Sequence, residues 1–260
     1  MNKPVKHILL SDKDKHYLKN IRKNAMVKQQ NQPEHYKEKV VVKPWGYEFL
    51  IFENEYVAVW FLFIKKDHST SMHCHPSKKT SLTLLSGKAL CNTFRHRNFL
   101  SAGDSLIIDA AVFHSTKALA LNGISLIEAE TPPDKLDLIR LEDAYGRENY
   151  GYEAYSEMVM EKLDDFNYFK FENKDYRGRR FTFNNRFSIL IESYSSNEAF
   201  QSSFSLDPGS TYCVCEGALL GLDKSILVNI GETERGAYLH KLGRIFIDRE
   251  TVLMKFSVFN

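Results

Sequence analysis

Ser71-Met72-His73-Cys74-His75-Pro76-Ser77-Lys78-Lys79-Thr80 is the stretch on which the reading of this chain turns. On a strand alternate side chains share a face, so His73 and His75 can point together while Cys74 points away. Two imidazoles placed so are what Zn²⁺, Fe²⁺, Ni²⁺ or Mn²⁺ centres use, each ring giving a neutral nitrogen. By itself the pair is also what two half-exposed strand histidines look like. A second segment, Gly103-Asp104-Ser105-Leu106-Ile107-Ile108-Asp109-Ala110-Ala111-Val112-Phe113-His114, offers a strand, a turn and a histidine on the return. A third ring from a neighbouring strand would complete a three-nitrogen face with open positions, as catalytic metals require.

The surroundings read as strands. Residues 40–66 are dense in Val, Phe, Tyr, Trp and Ile around a Pro44-Trp45-Gly46 punctuator. Residues 81–94 read as strand, Ser86-Gly87 turn, strand, and Asn122-Gly123 is a strong tight-turn signal. Short strands at this spacing, with little helical periodicity, predict an all-β sandwich or barrel. Helices are expected over 134–147, after Pro132-Pro133, and over 152–166. Beyond them the chain is β-rich again but holds one histidine, His240, against five in residues 68–114. Three segments follow: a basic arm over 1–38, a site-bearing β-domain over 39–150, and a second β-domain over 151–260.

Composition narrows the class. The chain has 260 residues, 43% hydrophobic and 26% charged, enough to bury a substantial core. Its longest apolar run, Val57–Ile64, has eight residues, whereas a spanning helix needs roughly 20. The N-terminal apolar run is too short for a secretory signal. Four cysteines make no disulfide scaffold, so a reducing, cytoplasmic setting is expected, with no membrane partner. A formal net charge of +2 does not imply a nucleic-acid partner. Residues 1–40 nevertheless hold ten Lys and Arg against four acids, and read as a solvated arm or surface helix.

His73-x-His75, then a strand ending in Gly87, then Gly103-(x)₅-Asp109-Ala110-Ala111-x-x-His114, resembles the two motifs of the cupin superfamily. Lys43-Pro44-Trp45-Gly46-Tyr47-Glu48, Met72–His75, Leu85–Ala89, Leu126-Ile127-Glu128 and Asp137–Arg147 resemble the type II phosphomannose isomerase cupin, also the C-terminal part of mannose-1-phosphate guanylyltransferases. The resemblance covers about residues 40–150. It implies a jelly-roll barrel. Residues 205–218 resemble a cupin motif without its histidines, so the resemblance implies a bicupin with a degenerate second barrel. Two departures stand out. The family's glutamate is absent from Pro76–Ser81, so a carboxylate ligand would have to come from elsewhere, with Glu128 or Glu130 in reach if their strand lines the barrel. Asp109-Ala110-Ala111 replaces a Pro-x-Gly.

The resemblance implies a divalent transition metal (Zn, Fe, Ni or Mn) on His73, His75 and His114. It also implies isomerase or epimerase chemistry on a phosphorylated or nucleotide-linked sugar of surface-polysaccharide synthesis, in a homodimer. Such chemistry needs a polarised carbonyl and a base that moves a proton. Lys79, Arg140 and Glu128 are the catalytic candidates; Lys78, Lys79, Arg140 and Arg147 are the candidates for holding substrate by charge-assisted hydrogen bonds. Against these stand plainer readings: a solvated loop for Lys78-Lys79 and a helix-surface ion pair for Arg140. Trp45 and Tyr47 read as core aromatics, and Cys213 and Cys215 as buried small apolar residues. A His₃-iron dioxygenase and a non-catalytic sugar-binding bicupin are the alternatives of function.

Overall fold

A computed structural model describes residues 3–24, 36–142, 144–146, 158–159, 162–172 and 178–259. The first half contributes β1 (Lys6–Ile8), β2 (Val40–Lys43), β3 (Gly46–Glu53), β4 (Ala58–Ile64), β5 (Met72–Cys74), β6 (Lys79–Ser86) and β7 (Lys88–Thr93). It continues with β8 (Arg97–Ser101), β9 (Ser105–Ile108), β10 (His114–Ala118), β11 (Ile124–Thr131), β12 (Ile139–Glu142) and β13 (Met158–Val159). These form a large sheet of order β1-β9-β6-β11-β4-β3-β2-β13 facing a smaller one of order β12-β5-β10-β7-β8. This is the expected jelly roll.

Alternation sorts the large sheet's side chains between two destinations. Glu48, Leu62, Leu126 and Leu84 lie in one cross-strand row, and Leu50, Trp60, Glu128 and Leu82 in the next. These rows face the barrel interior, where Trp60, Leu62, Leu82 and Leu84 meet Ala89, Cys91, Leu100 and Ala118 of the smaller sheet. The intervening residues, Phe49, Ile51, Phe61, Ile127 and Ala129, face the other way, into the second half.

That half contains β14 (Arg179–Phe183), β15 (Phe187–Tyr194), α2 (Asn197–Ser203), β16 (Ser210–Glu216) and β17 (Leu219–Leu220). After them come β18 (Ile226–Val228), β19 (Thr233–Arg235), α3 (Gly236–Leu242), β20 (Phe246–Ile247) and β21 (Thr251–Val258). Its sheets run β14-β15-β21-β16-β19 and β18-β17-β20. Placed beside β3-β4-β11-β6-β9 and β8-β7-β10 of the first half, the order is the same strand for strand. The two large sheets pack back to back through Phe49, Phe61 and Ile127 on one side and Phe187, Ile189, Met254 and Phe256 on the other. Cys213 and Cys215 are buried in this layer as small apolar residues. Each fully buried Phe or Ile here stabilises by roughly 1.5–3 kcal/mol, so the layer is a major source of stability.

Two helices expected from sequence do not form where described. Residues 139–142 are strand β12, paired with β5 through Ile139 to Cys74 and Arg140 to His73. The open edge of β5 needs backbone partners, and satisfying them outweighs a weak helical propensity. Residues 158–159 pair with β2, and Leu163–Phe166 makes a single 3-10 turn against the inter-sheet layer. Residues 152–157 lie outside the described residues.

The expected N-terminal arm is built into the fold over its described part. β1 adds to β9 in parallel, and α1 (Asp12–Asn24) follows. Ser11 and Asp14 cap α1 reciprocally, the Ser11 N–H donating to Asp14 and the Asp14 N–H donating to the Ser11 hydroxyl. The other Asp14 oxygen accepts from the Phe113 N–H at 2.9 Å. Val5 N–H donates to Glu234 of the second half at 2.9 Å. No helix among the described residues is long and apolar enough to cross a membrane.

Candidate metal centre

β5 is the middle of the site. Its His73 is the cross-strand neighbour of His114 on β10 and of Arg140 on β12. The rings of His73 and His114 lie 4.5 Å apart, those of His73 and His75 5.2 Å, and those of His75 and His114 5.8 Å. Glu128 reaches them from β11 across the barrel, and one donor atom from each of the four residues falls within 4.8 Å of the others. All four are buried.

Backbone contacts aim the rings. His73 Nδ1 meets the Ser71 carbonyl at 2.8 Å, His75 Nδ1 the Asp137 carbonyl at 2.7 Å, and His114 Nδ1 the Val112 carbonyl at 3.0 Å. A carbonyl can only accept, so each Nδ1 carries the proton and each Nε2 keeps its lone pair. His75 Nε2 and His114 Nε2 are buried without a hydrogen-bond partner. Buried orphan nitrogens are costly unless something absent from the bare chain binds them. Burial, reinforced by the neighbouring rings, pushes His73 well below the usual imidazole range and His114 down to about 4. His73 and His114 are therefore neutral near pH 7, as ligation demands. A divalent transition metal fits this donor set.

The loop that delivers His114 is braced from several sides. Ala111 adopts φ +66, the left-handed region that the Pro-x-Gly of the resemblance would fill with glycine. Its N–H donates to the His75 carbonyl at 2.7 Å, which ties the two histidine segments together. The Asp109 N–H donates to the Ile8 carbonyl, and Asp109 contacts His7 at 2.7 Å.

Beside the histidines lies a cavity of about 50 Å³ that opens to solvent. Its wall carries Lys43, Lys78, Lys135 and Arg140 against Glu48, Glu128 and Glu130, with Trp45, Leu62 and Leu138. Lys78 pairs with Glu130 at 2.9 Å, and Glu48 is shared by Lys43 at 3.3 Å and Lys135 at 3.1 Å. Lys135 also sits over the Trp60 ring, 3.4 Å from its centroid. Burial would raise Glu130, but Lys78, Lys135 and His75 hold it down at about 2. Burial would lower Lys135, but Glu48, Glu130 and Glu128 keep it above the usual ammonium value.

Sequence-predicted residues divide clearly. His73, His75, Glu128, Lys78 and Arg140 line the cavity, and His114 joins the two histidines and Glu128 in the cluster beside it. Lys79 does not: one residue on from Lys78, it points to the opposite side and pairs with Glu232 of the second half. Arg140 is buried on a strand rather than exposed on a helix. Arg147 lies outside the described residues. Trp45 lines the cavity, whereas Tyr47 packs on Phe63 and Phe166. Glu48 and Lys135 were missed as site residues, and Glu130 was weighed only as a ligand. Lone acids in apolar strands, Glu48 in GYEFLIFE and Glu128/Glu130 in ISLIEAET, are the signal that could have found the carboxylates.

No family model matches the chain, and no curated protein matches it in sequence. Among solved structures, similar ones include an uncharacterised double-stranded β-helix protein from Klebsiella pneumoniae, at 16% identity and TM-score 0.35 over 46% of this chain and 96% of that one. A cupin-superfamily sugar phosphate isomerase from Silicibacter pomeroyi matches at 9% identity and TM-score 0.34, over 37% of this chain and 66% of that one. The capsular polysaccharide assembling protein CapF from Staphylococcus aureus matches at 18% identity and TM-score 0.35, over 40% and 34%. With scores this low, the fold rests on the strand order and register given above.

Proposed function

We propose that this chain is a metal-dependent cupin enzyme acting on a phosphorylated or nucleotide-linked sugar, as an isomerase or epimerase of surface-polysaccharide synthesis. Its setting would be the cytoplasm and its form a homodimer. The observation that supports the metal is the inward convergence of buried, unpartnered His75 and His114 nitrogens with His73 and Glu128. His73, His75, His114 and Glu128 would hold a divalent transition metal, which when bound supplies Lewis-acid polarisation of a substrate oxygen. The protein's own groups do the rest. Arg140, beside His73, offers a planar fork for a phosphate, and the wall carries four cationic side chains against three carboxylates. Glu128 would supply the carboxylate that Pro76–Ser81 lacks.

Calorimetry against phosphorylated and unphosphorylated forms of one sugar tests the substrate. A hydrogen bond to a charged group contributes about 1.5–3 kcal/mol, so Arg140→Ala should weaken sugar-phosphate binding roughly tenfold to a hundredfold, with metal content unchanged. Equal affinity of the wild type for both forms would remove the sugar-phosphate reading.

A further inference from the structure

Glu130 lies two residues beyond Glu128 on β11, on the same inward face, and is 98% enclosed at 2% exposure. One of its oxygens, Oε1, is anchored by Lys78 at 2.9 Å and lies 3.6 Å from His75 Nε2. The other, Oε2, is buried without a hydrogen-bond partner, in a residue that lines the cavity. Thr80, directly across on β6, carries a second buried hydroxyl with no partner. A carboxylate oxygen is acceptor-only, and leaving one unsatisfied in the interior is costly. The Lys78 ammonium stands at Oε1 as an ion pair and makes no aligned hydrogen bond to either oxygen. The protein therefore maintains, at the metal-ligand cluster, a buried acceptor that an incoming hydroxyl can complete.

We infer that Glu130 is a specificity-determining residue: its Oε2 accepts a hydrogen bond from a hydroxyl of the bound ligand, and Lys78 is the positioning residue that aims it. The ligand class is then a small α-hydroxy acid or α-hydroxycarbonyl group, one oxygen at the His73/His75/His114/Glu128 cluster and the adjacent hydroxyl on Glu130. The inference rests on the metal reading above and narrows it. A hydroxyl is discriminated most strongly by a site that would otherwise leave a buried polar group unpaired, and this site is built so.

The probe is a pair of monoacids differing by that hydroxyl, lactate and propionate. Each is titrated into Co²⁺-loaded full-length protein and followed by the visible spectrum of the metal, with metal content measured separately. Wild type should bind lactate at least about tenfold tighter than propionate. Lys78→Met with Glu130→Leu removes both members of the ion pair, so no buried charge is stranded. It should keep its metal and bring the lactate-to-propionate ratio close to one. Glu130→Gln, the smaller change, should keep its metal and reduce the ratio part-way. Loaded wild type that does not prefer lactate, or does not bind it measurably, overturns the inference alone. So does a double variant that keeps both metal and preference. Wild type that takes up no metal overturns the metal reading and this inference with it.

Discussion

The two barrels share a strand order and differ in what they enclose. The first places His73, His75, His114, Glu48, Glu128 and Glu130 inside; the second fills its interior with Tyr194, Phe200, Tyr212, Val214, Leu239 and Leu253. Among the described residues, every buried side-chain nitrogen or oxygen lacking a hydrogen bond lies between Trp60 and Thr131, in the first barrel. In the second the polar tips are satisfied. Tyr194 OH donates to Glu192 at 3.1 Å, and Tyr212 OH accepts from the Asp207 N–H at 2.7 Å. The divergence starts at one connection. After β4 the chain enters β5 and its histidines; after the equivalent β15 it enters α2, capped by Ser196, whose Phe200 packs into the space. One barrel spends stability on an unfinished interior, and the other is finished.

The largest way to break this contrast is to strip the ligands. His73→Ala with His75→Ala should lower metal affinity by more than the roughly 100-fold that losing an outer partner causes, whereas His240→Ala, on the exposed face of α3, should change nothing. Elemental analysis after dialysis reads both, and equal metal in the double variant would refute the centre. Next comes the cost of unpairing a buried charge. Lys78→Met strands Glu130 and should destabilise by about 3–5 kcal/mol in urea unfolding of metal-free protein. Tyr212→Phe in the second barrel removes one acceptor and should cost about 1 kcal/mol.

The metal-centre histidines were legible because their spacing is local: two residues apart on one strand, with a turn and a return for the third. Glu48, Glu130 and Lys135 were less legible as site residues because their positions depend on strands that meet only in the folded barrel. Arg140 shows the same limit. Its neighbours have the look of a short helix, and only the open edge of β5 makes the segment a strand. The second barrel's repeat was visible in its turn spacing, but the replacement of a strand by α2 was not.

Acid sharpens the comparison further. His73 and His114 are held neutral in the folded state, so in metal-free protein the unfolded chain binds more protons below the ordinary imidazole value of 6.5. Stability is full above that value and falls as pH drops from 6.5 towards 4. His114 alone accounts for about 3 kcal/mol of the loss, from 1.36 kcal/mol per pH unit. Urea midpoints across that window should slope for wild type and flatten for His114→Phe; parallel slopes would show that the buried ring is not the source. The smallest effect is at Ala111. Replacing it with glycine relieves the left-handed backbone, less the entropy glycine loses, and should stabilise by up to about 1 kcal/mol without altering metal affinity.

Strand β1 is held by partners far from it in sequence. Lys6 pairs with Leu106, Asp14 with Phe113, and Val5 with Glu234, separations of about 100 residues or more that reach 229 for the last. Each of these contacts closes a long loop, so β1 and the Asp14 cap are among the last pieces to find their place as the chain folds. Until β1 docks on β9, the Asp109 N–H lacks the Ile8 carbonyl and the brace behind His114 is incomplete. The loop that carries His114 is therefore closed by a segment about 100 residues away from it in sequence.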